Sequence, residues 1–240
     1  KRTYFFLNLK VFNSLNHLDQ FLNSCGEVNF VPTMGNLHDG HLKLVTEANK
    51  FEGVTLASIY VNPLQFGPNE DYDQYPRDLD TDLKRCLSLK VDVVFTPSVS
   101  DLYGNATYPT EIYIPTLSQL HCGQSRKTFF KGICSVVLRF FMIVQPDIAI
   151  FGEKDYQQFI LLSQMVTDLF LPITMISAPI YREKNGLAMS SRNTYLSKSQ
   201  LQEAAEIYIA LTNAKQLFQQ GETSSKALVE QITQHIQNNT

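Results

Sequence analysis

The feature that most constrains the fold is an alternation of short apolar runs with helical patterns over the first two-thirds of the chain. Runs of strand length stand at "VNFV" (28–31), "VTLASIYV" (54–61), "VDVVF" (91–95), "DIAIF" (147–151) and "PITMISA" (172–178). They are continuous rather than alternating, as expected of strands covered on both faces. Helical patterns lie between them, at roughly 39–50, 77–88, 132–144 and 155–169. A further one, "NSLNHLDQFLNSCG" (13–26), precedes the first strand and reads as a helix closed by Gly26. Strand–helix–strand alternation requires right-handed crossovers, so the expectation is an α/β protein with a parallel, doubly wound sheet. In such sheets ligands bind beyond the carboxyl ends of the strands. A polar residue just after a strand is therefore a candidate for function, and one in mid-helix is not.

The pattern changes after "YREKNG" (181–186). Residues 197–220 and 223–237 read as two amphipathic helices joined at Gly221, with Ser197 and Gln200 fitting a capping box. The expected organisation is a main domain over residues 1–180 and a smaller C-terminal subdomain over 181–240. The chain starts without Met and stops directly after a helical pattern, so a trimmed end is expected. With 44% hydrophobic and 18% charged residues the chain can bury a sizeable core. A net charge of -3 with no basic block argues against a nucleic-acid surface. No apolar run reaches the ~18 residues of a membrane span, and the N-terminus lacks a secretory pattern. Cys25, Cys86, Cys122 and Cys134 lie far apart in non-metal spacings and read as free thiols in a reducing cytoplasm.

Four clusters sit at strand ends. In "FVPTMGNLHDGHLKLV" (30–45), Gly35 permits a tight turn and a helix begins near Asp39. His38 and His41 fall at that helix start, where free N–H groups and the dipole favour an anion, and three-residue spacing puts both rings on one side. They can then grip phosphate oxygens as charge shifts during transfer. A zinc pair is the weaker reading, because the zinc-protease helix spaces its His by four residues around a Glu and no third ligand is evident. The long loop "NPLQFGPNEDYDQYPRD" carries Asn62 and Gln65, and a carboxamide with both donor and acceptor suits a hydroxy-acid substrate. "GEKDYQQ" offers Gly152 for close approach, Lys154 as a point charge, and Gln158 a helical turn later. "GLAMSSRN" supplies Ser190, Ser191 and Arg192, the chemistry of a mobile clamp on polyphosphate. The acidic run at 70–82 could bind Mg²⁺ but reads better as a solvated helix start.

Taken together and in order, "PTMGNLHDGH", "VNPLQFGPNEDYDQYPRD", "FGEKDYQQ" and "GLAMSSRN" resemble the pantothenate synthetase (pantoate–β-alanine ligase) family over about residues 28–196. "HDGH" is similar to the HIGH-type motif of a wider nucleotidyltransferase superfamily, and "MSSR" to its KMSKS element. The resemblance implies a Rossmann-like nucleotide domain, a C-terminal lid and a cytoplasmic homodimer. It implies ATP-dependent condensation of pantoate with β-alanine through a pantoyl-adenylate, with Mg²⁺ accompanying ATP. It places ATP on residues 34–41 (Met34, Gly35, His38, Gly40 and His41, the last as proton donor), on Gly152, Glu153, Lys154 and Asp155, and on Tyr181, Met189, Ser190, Ser191 and Arg192. Gln65 and Gln158 would hold pantoate, with Asn62 beside them and Gln65 also reaching β-alanine. No protein ligand for the metal is implied.

The chain departs from the family's usual "RPGHFRG", reading "RKTFFKG" at 126–132, with Phe129 for a His and Lys131 for an Arg. Asn185 stands where Asp is common, and a short tail suggests an incomplete lid. Two other functions stay open from sequence: a nucleotidyltransferase acting on a phosphate-bearing acceptor, and a silent nucleotide-binding protein that keeps the fold.

Overall fold

Residues 5–6, 9–104 and 109–240 are described by the computed structural model. The chain divides into two units, Lys1–Pro179 and Ile180–Thr240. In the first, chain order runs β1 (Phe5–Phe6), β2 (Leu9–Phe12), α1 (Leu15–Leu22), β3 (Val28–Thr33), α2 (Asp39–Ala48) and β4 (Val54–Ile59). It continues with α3 (Leu79–Ser88), β5 (Val93–Phe95), α4 (Val99–Tyr103), α5 (Cys122–Ser125), α6 (Phe129–Val144), β6 (Ile148–Gly152), α7 (Tyr156–Asp168) and β7 (Thr174–Ala178).

The strands form one sheet in the order β1-β2-β5-β4-β3-β6-β7. Every neighbouring pair is parallel except β1 with β2. Successive side chains feed opposite faces. Phe30, Leu56, Val93 and Ala149 join a core with α1, α6 and α7, while Val31, Ala57, Val94 and Ile150 join another with α2 and α3. Continuous apolar runs follow directly from this double burial. Helix α6, "FFKGICSVVLRFFMIV", is apolar on nearly all sides because it is buried on most of them.

Strand order reverses between β3 and β6, which makes that seam the switch point where a ligand crevice opens. The register shows how. β3 pairs with β4 from Val28 to Thr33, but with β6 only at Asn29↔Ile148 and Phe30↔Ala149. Pro32 comes two residues after Phe30, and a residue with no N–H has nothing to donate to a ladder. Beyond it β3 and β6 part, leaving their carboxyl ends as two lips.

The second unit opens with a turn bridged between Arg182 and Ala188, followed by a 3-10 turn at Ser191–Tyr195. Asn185 supports the turn by accepting from Leu187 N and donating to the Leu201 carbonyl. Helices α8 (Lys198–Gln219) and α9 (Ser225–Asn239) complete the unit, and the capping box at Ser197 and Gln200 forms as expected.

Several elements differ from the sequence reading. Strands β1 and β2 were not expected, because "LKVF" alternates buried Leu9 and Val11 with exposed Lys10 instead of forming a continuous run. Gly26 does not close α1, which ends at Leu22 with Asn23 as its cap. Helix α6 begins at Phe129 rather than 132, so the "FFK" before Gly132 forms its first turn.

Candidate active site

The first lip is the turn between β3 and α2. Thr33 Oγ1 donates to the Ser58 carbonyl (2.6 Å) and accepts from Gly35 N (3.3 Å), turning the chain out of the sheet. Gly35 (φ +82°) and Asn36 (φ +48°) are both left-handed. Asp82 fixes this geometry. Its carboxylate is 2% exposed and accepts from Asn36 N (2.8 Å) and Leu37 N (2.7 Å). A Cβ on Gly35 would lie 2.9 Å from Asp82 Oδ2, so the turn needs both the glycine and the acid. Burial raises the Asp82 carboxyl, while these two N–H groups pull it back down. The acidic run at 70–82 is thus not simply a solvated helix start. Its signal was legible in α3, where Asp82 occupies the buried stripe with Leu83 and Cys86.

The turn delivers the two imidazoles. His38 caps α2, its Nδ1 accepting from Gly40 N (3.1 Å), and His38 N donates to His41 Nδ1 (3.3 Å). The ring centroids lie 4.0 Å apart. With both Nδ1 atoms accepting, each neutral ring carries its proton on Nε2. Burial, then the Lys154 ammonium, pushes His38 down to about 4. Burial, then His38 and Lys154, pushes His41 down to about 3. At neutral pH the pair is therefore two uncharged Nε2–H donors. In the free site His41 offers a hydrogen bond, and has no extra proton to release as an acid. Arg85, which sequence reading missed, also weighs on both rings from α3.

The second lip follows β6. Glu153 accepts from Ser177 Oγ (2.9 Å), and Lys154 lies 3.4 Å from Asp155. Lys154, like Arg85, depresses both imidazoles, which brings the β3 and β6 clusters to one place. A Cβ on Gly152 would meet only Leu44, at 3.7 Å, so neither strain nor protein crowding requires the glycine. The Gln158 side chain, in the first turn of α7, has no hydrogen-bond partner among the described residues.

The cluster after β4 reaches the first lip through Gln65, whose carboxamide lies against the Met34 sulfur and accepts from Asn62 Nδ2 (3.3 Å). Asn62 itself is 1% exposed and fully engaged. Its Oδ1 accepts from Leu64 N and the Tyr103 hydroxyl, and its Nδ2 also donates to the Gly132 carbonyl. The Asn62 side chain therefore supports Gln65, with its oxygen and nitrogen both engaged within the protein.

Tyr181, Met189, Ser190, Ser191 and Arg192 belong to the second unit. Met189 N donates to the Tyr181 carbonyl (3.0 Å), and Ser190 Oγ accepts from Arg192 N (3.3 Å). Of the departures at 126–132, Lys131 pairs with Glu111 at 2.8 Å, and Phe129 lies under the Arg126 guanidinium. Among the described residues no cluster of three His, Cys, Asp or Glu could hold a metal, and no helix is long and apolar enough to cross a membrane.

The sequence profile described as pantoate-beta-alanine ligase matches residues 10–240. The chain belongs to the pantoate-beta-alanine ligase family. A pantothenate synthetase of Desulfitobacterium hafniense is 49% identical over 208 residues, covering 87% of this chain and 73% of that protein. That of Thermotoga petrophila is 43% identical over 232 residues, covering 95% and 82%. Among solved structures, the pantothenate synthetase from Thermus thermophilus superposes with a TM-score of 0.90 at 38% identity, covering 95% of this chain and 82% of that one. The Francisella tularensis pantoate-beta-alanine ligase, complexed with beta-gamma ATP and beta-alanine, gives 0.81 at 35% identity, covering 94% and 85%. These ligase relatives share the α/β sheet and its flanking helices.

Proposed function

We propose that this chain condenses pantoate with β-alanine at the expense of ATP, releasing AMP and pyrophosphate. The reaction has two stages. A pantoate carboxylate oxygen attacks the α-phosphorus of ATP, forming an acyl–phosphate bond as the bond to pyrophosphate breaks. The β-alanine amine then attacks the acyl carbon, an amide forms, the amine gives up a proton, and AMP leaves. Adenylation is needed because a free carboxylate has no adequate leaving group.

The observation that carries this reading is the paired Nε2–H donors of His38 and His41 beside Lys154 at the β3/β6 seam. Uncharged donors held by the backbone, next to a fixed cation, suit charge building on transferring phosphate oxygens, where positioning and electrostatics dominate. Met34, Gly35 and Gly40 shape the phosphate turn, and Gly152 gives the nucleotide backbone-level access beside Glu153 and Asp155. Gln65 and Gln158 receive the pantoate oxygens, and Gln65 also meets β-alanine. The family resemblance supports an ATP-binding role for Tyr181, Met189, Ser190, Ser191 and Arg192 of the second unit.

Mg²⁺ enters as MgATP. The donor set fits that mode: no three-ligand cage occurs among the described residues and both Asp82 oxygens accept from the turn, so the ion would be held chiefly by phosphate oxygens. Bound there it would supply electrostatic stabilisation of the charge passing to pyrophosphate. The family resemblance supports a homodimer, and four free cysteines suit a reducing cytoplasm. Product analysis with ATP, Mg²⁺, pantoate and β-alanine, omitting each in turn, tests the reading. AMP and an amide product should require all four, and AMP formation indifferent to pantoate would refute it.

A further inference from the structure

An ion pair ties the loop after Gln65 to the segment where this chain departs from its family. Residues 66–77 pack on themselves: Phe66 meets Tyr72 (5.3 Å) and Tyr75 (6.0 Å), and Arg77 donates to the Tyr72 and Tyr75 carbonyls. Self-packed loops of this size are frequently functional. Arg126, just ahead of α6, reaches across to this loop. Its Nε donates to Glu70 Oε1 (2.6 Å) while a terminal nitrogen donates to Oε2, a two-pronged pair. The same guanidinium donates to the Gln65 carbonyl (3.4 Å) and stacks 3.4 Å above the centre of the Phe129 ring. Beneath, the first turn of α6 presses on the Asn62–Gln65 bend, with Asn62 Nδ2 on the Gly132 carbonyl.

We propose that Arg126 and Glu70 form a latch, seated on Phe129, that fixes the 66–77 loop against α6 and thereby sets Gln65 for the acid substrate. They are positioning residues: the guanidinium is occupied by Glu70, Gln65 and Phe129. Phe129 takes part by giving the cation a flat, non-titrating seat. An imidazole there would change charge near neutral pH, so the latch strength in this chain does not vary with histidine protonation. The proposal rests on the reading that Gln65 contacts pantoate.

The test compares Glu70→Gln, Arg126→Lys and the double variant, measuring KM for pantoate, KM for ATP and kcat of the full-length enzyme. Lys keeps the charge but loses the two-pronged geometry, so at least one variant preserves the local charge balance. The latch predicts a pantoate KM about tenfold higher in each single variant and ATP KM within about twofold. The double variant should be no worse than the weaker single, because groups acting as a unit are not additive. Pantoate KM within twofold of wild type in all three, or an equal rise in both KM values, overturns the latch. Gln65→Ala separates the two readings. If it raises pantoate KM while the latch variants do not, only the latch falls. If Gln65→Ala leaves pantoate KM unchanged, the reading of Gln65 fails and the latch with it.

Discussion

Replacing Gly132 by Ala probes how tightly the substrate turn depends on α6. An added Cβ would stand 2.1 Å from the Leu64 oxygen, 2.5 Å from its carbon and 2.8 Å from Gln65 N. All three are backbone atoms, so no side-chain rotation relieves the clash. Restoring an ordinary contact of 3.4 Å requires the Asn62–Gln65 bend and α6 to separate by roughly 1 Å. Alanine gains about 1 kcal/mol of helix propensity over glycine, whereas crowding a packed contact costs about 1–3 kcal/mol. The net loss is at most about 2 kcal/mol, and a domain of this size loses roughly 2–4 °C of Tm per kcal/mol. The fold therefore survives, with Tm lower by up to about 8 °C. Function should suffer more, because a misplacement of about 1 Å at a reacting group can cost on the order of 10²-fold. Pantoate-dependent exchange of pyrophosphate into ATP, measured beside a thermal melt, reads both quantities. Exchange within twofold of wild type would refute the claim that Gly132 sets Gln65.

His41→Ala should fold normally yet lose on the order of 10²–10³ in pantoate-dependent exchange, the scale of one aligned donor, whereas unchanged exchange removes the imidazole from the chemistry. Because His38 and His41 are held at about 4 and about 3, against 6.5 when unfolded, the unfolded chain binds more protons between those values. Their stabilising contribution is thus present above pH 6.5 and is lost as pH falls towards 4 and then 3. Urea titrations from about pH 7 to about 4.5 should show a shallower decline for the His38→Ala/His41→Ala double variant, and an unaltered slope contradicts the depressed values. Asp82→Asn should cost about 1.5–3 kcal/mol per charged bond lost in denaturant titration, since an amide cannot accept from Asn36 N and Leu37 N together. Lost activity at full stability would make Asp82 a ligand-binding group instead.

The sheet was legible because its central strands are buried on both faces, so Phe30–Val31 and Ala149–Ile150 read as unbroken apolar runs. The strand at Leu9–Phe12 was not, since exposed Lys10 between buried Leu9 and Val11 turns the run into an alternation that resembles a loop. His38, His41 and Lys154 could be found as polar residues just past strand ends, which is a local property. Asp82, Arg85 and Arg126 act on the site from 46, 44 and 61 residues away in sequence, judged against Asn36, His41 and Gln65 respectively. Only tertiary packing creates those relations. The support that Asn62 gives Gln65 was equally hidden, because its burial and its bonds to Gly132 and Tyr103 arise only on folding.

Imidazole nitrogen NMR of the free enzyme at neutral pH, before and after MgATP, tests the two-donor arrangement most directly. Both His38 and His41 should appear as neutral rings protonated on Nε2, with the Nε2 signals moving when the nucleotide is added. Charged rings, protons on Nδ1, or Nε2 signals indifferent to saturating MgATP would contradict it.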